Sequence, residues 1–247
     1  MKILCVSDQI DPFVYSNSAK QRFSDIDMIL CAGDLPMDYV DFIVSTLNKP
    51  TYFIFGNHDL KEYGFYHKVK SSGAHPYTAP TSSLDSMSHN HGAIYAGFKS
   101  LALRELPPID FNGKKSPLLL VGISGSMRYN NGEDQYTDFQ MFCNLLKLIP
   151  VLFWNKIRYG RYVDIFLTHA TPRKIHDKED PCHKGFKCFN WFIEHFHPKY
   201  MIHGHIHLYD AQAPRVTVHK DTTIINAYSK YVFDFEHFNE TESRSSI

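Results

Sequence analysis

The chain has 247 residues, with 26 Lys and Arg against 26 Asp and Glu, so its formal charge is zero with His neutral. At 43% apolar and 15% aromatic, it is too hydrophobic and too balanced for a disordered chain. It also lacks the basic surplus of a strongly electrostatic nucleic-acid binder. Five scattered cysteines (Cys5, Cys31, Cys143, Cys182 and Cys188) fit neither a disulfide framework nor a common zinc spacing and read as reduced thiols. No apolar run approaches a membrane span, and acid follows the first apolar stretch too soon for a secretory signal, so the expected compartment is the cytoplasm.

Residues 2–7 (KILCVS) predict a buried strand that ends at Asp8. A short helical turn is expected at 18–24, then a second buried strand at 27–32 that stops at Gly33-Asp34. Val40, Ile43, Val44 and Leu47 have helical spacing behind Pro36. Residues 51–55 (TYFIF) predict a third strand, closed by Gly56-Asn57. This alternation implies a parallel sheet with right-handed crossovers. Strands are expected at 93–98 and 118–123, with loops at 71–92 and 107–117. A helical pattern at 137–157 is interrupted by Pro150. Residues 163–167 (VDIFL) predict a strand before Thr168-His169, 186–196 a helix, and 200–202 a strand leading into Gly204-His205-Ile206-His207. Stretches 215–219, 222–227 and 232–235 read as antiparallel closing strands. A single α/β domain over 1–238 with a polar tail at 239–247 is the simplest organisation.

The 15 histidines matter through their positions. Asp8, Asp34, Asn57-His58, His169, and His205 with His207 each follow an apolar strand. The carboxyl ends of strands are where open α/β sheets bind ligands. Each alone has a bland reading: an Asp at a strand end is ordinarily a turn or cap residue, and a lone His after a strand is ordinarily a satisfied polar group. In an extended segment, however, residues two apart face the same side, so His205 and His207 are expected to reach one locus. Five strand ends delivering carboxylate, amide and imidazole in series do not read as packing.

The ordered series Asp8, Gly33-Asp34, Gly56-Asn57-His58-Asp59, His169, Gly204-His205-Ile206-His207 resembles the calcineurin-like metallophosphoesterase superfamily, over about residues 2 to 236. The resemblance implies a layered α/β/β/α sandwich of two mixed β-sheets flanked by helices, with a two-metal centre at the strand ends. It implies that Asp34 bridges two divalent ions, that Asp8 and His207 hold the first, and that Asn57, His169 and His205 hold the second. His58, with Asp59 behind it, is implied as the acid or phosphate-orienting group. The implied activity is hydrolysis of a phosphomonoester or phosphodiester by a metal-held hydroxide. Mixed oxygen and imidazole ligands suit Mn, Fe or Zn without choosing among them.

One position departs from the family, whose first motif reads Asp-x-His, where this chain has Asp8-Gln9-Ile10. Nor does it follow the purple acid phosphatases, since the slot of their substitute Tyr holds Met37. Asp11, Asp38 or Tyr39 could replace the missing ligand, water could fill the position, or the first ion could bind weakly. A working centre with altered first-ion affinity is the favoured expectation. Arg128, in a Gly- and Asn-rich segment at 125–132, is a candidate phosphate contact, against a simple turn. His183 either caps the next helix or projects into the cleft. The loops at 60–92, 125–137 and 172–188 are expected to set specificity. Neutral charge favours a small nucleotide or phosphorylated metabolite as substrate. The rival readings are a DNA-processing nuclease of the same superfamily and a non-catalytic protein-binding scaffold with a degenerate metal site.

Overall fold

Alternation of side chains along each strand gives every sheet two apolar faces, and both must be covered. The computed structural model describes residues 1–58, 60–61, 63–66, 92–209 and 212–236. In β1 (Lys2–Ser7), Ile3 and Cys5 face one way, Leu4 and Val6 the other, and all four are fully buried. β2 (Met28–Cys31), β3 (Thr51–Phe53) and β4 (Ile94–Tyr95) extend the sheet in parallel, and β15 (Ser229–Asp234) closes it antiparallel to β1. The order is β15-β1-β2-β3-β4.

The second sheet has β5 (Lys99–Leu103), β8 (Leu118–Ile123), β11 (Ile165–Thr168), β12 (Tyr200–His203), β13 (Val216–His219) and β14 (Thr222–Asn226), in the order β13-β14-β12-β11-β8-β5. Its four inner strands are parallel and its two edges antiparallel. Ile3, Cys5, Leu30 and Tyr52 of one sheet meet Leu118, Leu120, Ile165, Leu167 and Ile202 of the other in a shared core. Each such side chain, fully buried, contributes about 1.5–3 kcal/mol.

Helices cover the outer faces. α1 (Ala19–Arg22) and α2 (Met37–Leu47) pack Ala19, Val40, Ile43 and Leu47 on Leu4, Val6 and Ile29. α3 (Tyr63–Tyr66) sets Tyr63 and Tyr66 against Phe53 and Phe55. On the other side, α4 (Asp138–Leu146), α5 (Ile149–Tyr159) and α6 (Lys187–Phe196) bring Met141, Leu145, Leu152, Phe189 and Phe192 onto Val121, Ile123, Phe166 and Met201. Thr137 starts α4 with a full capping box to Gln140. Pro150 starts α5, where a missing N–H costs nothing, so it divides the helical pattern in two. The layered α/β/β/α sandwich is the architecture expected from the sequence.

Several local expectations are corrected. Residues 107–117 are no loop but a hairpin of β6 (Ile109–Phe111) and β7 (Lys114–Ser116), whose turn residues Asn112 and Gly113 both have positive φ, at 51° and 76°. Arg161 anchors it. Its guanidinium pairs with buried Asp164, donates to Ser116 Oγ at 2.9 Å and lies 4.9 Å from the Phe111 ring. The strand expected at 93–98 shrinks to two residues, because Phe98 at φ 55° turns the chain into β5. Of the closing strands, β14 runs parallel to β12. β9 (Ser126–Met127) and β10 (Gln135–Tyr136) form a short parallel pair within the expected specificity segment. Asp59, most of the 60–92 loop with His89, Asn90 and His91, and the 239–247 tail lie outside the described residues.

The end of β1 is tied to β15 through buried Asp11. One carboxylate oxygen accepts from the Phe13 and Val14 amides, and the other from Ser229 Oγ and Lys230 Nζ at 2.6 and 2.8 Å. Burial opposes its charge, but bonds from Lys230, Ser229 and the Phe13 amide outweigh burial and hold its pKa below the ordinary value. With the folded pKa below the unfolded one, this stabilisation is complete above the ordinary carboxylate pKa. It fades as pH falls through the folded value. Asp11→Asn is expected to lower stability at neutral pH by about 1–3 kcal/mol and to flatten the acid limb of the stability profile. Thermal melts of both proteins from neutral to acid pH test this.

Candidate metal centre

Glycines before the candidate ligands let the strand ends approach. A Cβ on Gly33 would lie 2.7 Å from His169 Nδ1, one on Gly56 would lie 2.0 Å from Asp34 Oδ1, and one on Gly204 would lie 1.9 Å from Ser7 Oγ and 2.5 Å from Asp8 Oδ2. The glycine of each motif therefore makes room for a ligand carried on a different strand. The backbone is also turned sharply here: Asp8, Asp34 and His205 all have left-handed φ, at 64°, 53° and 66°. Such conformations cost non-glycine residues about 1 kcal/mol or more and gather at functional sites.

These turns bring Asp34, His169 and His205 together. One ligand atom from each lies within 4.8 Å of the others, and all three residues are buried. His169 Nδ1–H donates to the Ala32 carbonyl at 2.8 Å, which makes Nε2 the lone-pair nitrogen of the neutral ring. That Nε2 stands 3.2 Å from Asp34 Oδ2 yet makes no hydrogen bond. His205 Nε2–H donates to the Cys182 carbonyl at 2.6 Å, so its Nδ1 is free. Asp34 Oδ1 accepts from the His58 amide at 2.7 Å. Asn57 donates Nδ2–H to Tyr129 Oη at 3.2 Å, and its Oδ1 is buried without a partner. Orphaned buried polar atoms are rare and call for an explanation. An imidazole nitrogen and an amide oxygen, as at His169 Nε2 and Asn57 Oδ1, are atom types that divalent cations accept, so the donor set is compatible with one.

The electrostatics agree. Burial opposes charge on Asp34, but the adjacent His169 and the His58 amide hold its carboxyl well below the usual range. Burial likewise opposes an imidazolium at His169, yet Asp34 and then Asp8 raise it to about 9, so without a cation Nε2 carries a proton at neutral pH, which a bound cation would displace. Burial and the neighbouring His169 push His205 down to about 4. A negative well has formed around nitrogen donors.

Asp8 lies at the edge of this group. Both its oxygens accept from the His205 amide, at 2.9 and 3.0 Å. His207 Nε2 is 3.7 Å from Asp8 Oδ1, while its Nδ1 shares a 2.6 Å hydrogen bond with Tyr209 Oη and its ring lies 4.9 Å from that of Tyr228. The expectation of an extended His-x-His segment is corrected: β12 ends at His203, and the left-handed His205 turns the chain, leaving His205 buried and His207 half-exposed. His58 is exposed beside buried Asn57. Ile10, in the family's ligand position, is 43% exposed. Asp11 cannot replace it, since both its oxygens are engaged elsewhere, and buried Tyr39 accepts from the Asp11 amide at 3.3 Å. Asp38 is exposed on the first turn of α2.

His183 does not cap α6. That role falls to Asp138 Oδ1, which accepts from the Lys187 and Cys188 amides. His183 pairs with Asp180 at 2.8 Å and sets its ring 5.5 Å from that of His205. Arg128 is exposed and donates Nη2–H to the Gln135 carbonyl at 3.2 Å. The groups that aim the ligands escape the sequence reading. Two are backbone carbonyls, of Ala32 and Cys182, which carry no residue signal. The third, Tyr129, lies in the Gly- and Asn-rich segment beside Arg128.

Gly56→Ala is expected to displace Asp34 and His169 and to lower divalent-metal affinity by at least about tenfold. Metal content after dialysis and calorimetric titration with Mn measure it. Unchanged affinity would show that the Gly56 approach does not shape the centre.

A family model for calcineurin-like phosphoesterases matches residues 1–209. No curated protein matches the sequence significantly. Among solved structures, one crystal structure aligns with a TM-score of 0.60 at 14% identity, over 94% of this chain and 94% of its own. The crystal structure of TT1561 of Thermus thermophilus aligns with a TM-score of 0.56 at 12% identity, over 92% of this chain and 89% of that one. At such identities the likeness speaks for the fold alone. The family match, by contrast, runs through every strand end that carries a candidate ligand, from Asp8 to His207, and the chain belongs to the calcineurin-like phosphoesterase family.

Proposed function

We propose that the protein is a metal-dependent phosphoesterase acting on a small phosphomonoester or phosphodiester. The observation that carries this reading is the buried cluster of Asp34, His169 and His205, with ligand atoms within 4.8 Å of one another, in which His169 Nε2 makes no hydrogen bond. In this reading Asp34 bridges two ions of Mn, Fe or Zn, Asp8 and His207 hold the first, and Asn57, His169 and His205 hold the second. Such ions, when bound, supply Lewis-acid polarisation of the phosphoryl group and activation of water for in-line attack.

The chain's own part is orientation. The Ala32 and Cys182 carbonyls fix the tautomers of His169 and His205, and Tyr129 turns the Asn57 carbonyl oxygen away from itself. Burial of Asp34, His169 and His205 keeps bulk water from competing for these atoms. His58 is anchored by its backbone to Asp34 and exposed, which suits proton donation to a leaving oxygen. Asp59 is its proposed partner.

Hydrolysis of p-nitrophenyl phosphate, bis-p-nitrophenyl phosphate and a phenylphosphonate ester with added Mn is the direct test. His58→Ala is expected to lower kcat by about 10²–10⁴-fold, and Asp34→Asn to abolish both turnover and metal uptake. A specific observation favours a second reading, a non-catalytic binding module: Ile10 cannot coordinate an ion, and both oxygens of Asp11 are engaged elsewhere. A metal-loaded protein that turns over none of these esters would favour that alternative. Ile10→His is expected to tighten first-ion binding by about tenfold or more, read as a change in Mn titration. An unchanged isotherm would remove Ile10 from the first site.

A further inference from the structure

A cavity of about 460 Å³ opens between the 125–132 segment and the start of α6, lined by Arg128, Arg173, Lys184 and Lys187 together with Asp138 and Glu179. The two acids are engaged. Asp138 caps α6, and Glu179 pairs with Arg173 and Lys174. Arg173 is further bound to Asp177. Among the described residues, Arg128, Lys184 and Lys187 have no carboxylate partner. Three unneutralised cations thus share one concave surface of a size that holds a small ligand group.

The cavity is coupled to the metal centre on two sides. Arg128 lines it, and the next residue, Tyr129, accepts from Asn57. Pro181 lines it, and the next residue, Cys182, accepts from His205. Two candidate ligands of the second ion are therefore each held by the immediate neighbour of a residue in the cavity wall.

We propose that this cavity receives a second anionic group of the substrate, so that the preferred phosphoester carries a further phosphate or carboxylate away from the ester being cleaved. The proposal rests on the phosphoesterase reading. Lys184 and Lys187 supply point charges, and Arg128 a planar donor pair suited to phosphate or carboxylate oxygens. An ester with a neutral tail leaves these cations to water.

Phosphonates separate binding from turnover, because their C–P bond is not hydrolysed. Calorimetry on the Mn-loaded protein would compare alkyl phosphonates with α,ω-alkane bisphosphonates of increasing chain length and with the matching ω-carboxyalkyl phosphonates. The doubly anionic ligands are expected to bind about tenfold more tightly at the best chain length. In Lys184→Ala/Lys187→Ala that ratio should fall to near one, in Lys184→Glu below one, and in Lys187→Arg it should persist. Whether the bisphosphonate or the carboxylate gains more identifies the second group. A ratio near one at every length in the wild type, or one unchanged in the double alanine variant, overturns the proposal. Absence of ester turnover would instead count against the hydrolase reading, and leaves the binding ratio measurable.

Discussion

His169 stands at the end of one sheet and donates its Nδ1–H to Ala32 at the end of the other, 2.8 Å away. This hydrogen bond makes a single locus out of two separate sheets. It fixes which imidazole nitrogen faces Asp34, and it requires that Gly33 and Gly56 carry no Cβ, since either would collide with the ring. Asp8 repeats the arrangement on the other side by accepting from the amide of His205, 197 positions along the chain. The candidate centre is thus a by-product of how the sheets meet. Its ligands are also the contacts that join the layers at that end.

The architecture was legible because burial on both faces of a strand leaves an unmistakable apolar run, and because Gly-Asp, Gly-Asn-His and Gly-His mark where such runs stop. What escaped detection depends on longer-range matters. The strand at 99–103 carries Lys99, Ser100 and Ala102, and its pairing with β8 is an edge pairing that no local pattern announces. The hairpin at 109–116 did have a signal, Asn112-Gly113, hidden by short strands and three lysine or serine residues in β7. The residue types of the site could be read, but the groups orienting them could not. A carbonyl such as that of Cys182 is present at every position, and only the folded chain reveals which one faces an imidazole.

The two halves of the candidate centre differ in character. His169 and His205 are themselves buried, oriented and crowded together. Around Asp8 and His207 the chain is more open: Ile10 and His207 reach solvent, and Tyr209 and Tyr228 contact the imidazole. Burial and fixed hydrogen-bond partners constrain the inner imidazoles more than the outer one.

The β6–β7 hairpin lies at the far end of the sandwich from all of this. Its base lines a hollow with Met1, Asp27 and Phe235, where β1 begins and not where it ends. A polar tip with two left-handed residues, held at its root by Arg161, tolerates insertion well. The Asn112–Gly113 turn is therefore the natural place to splice in a fluorophore-bearing tag or a surface-immobilisation handle. Single molecules tethered there would present their opposite pole, which carries the candidate metal centre, freely to the bulk.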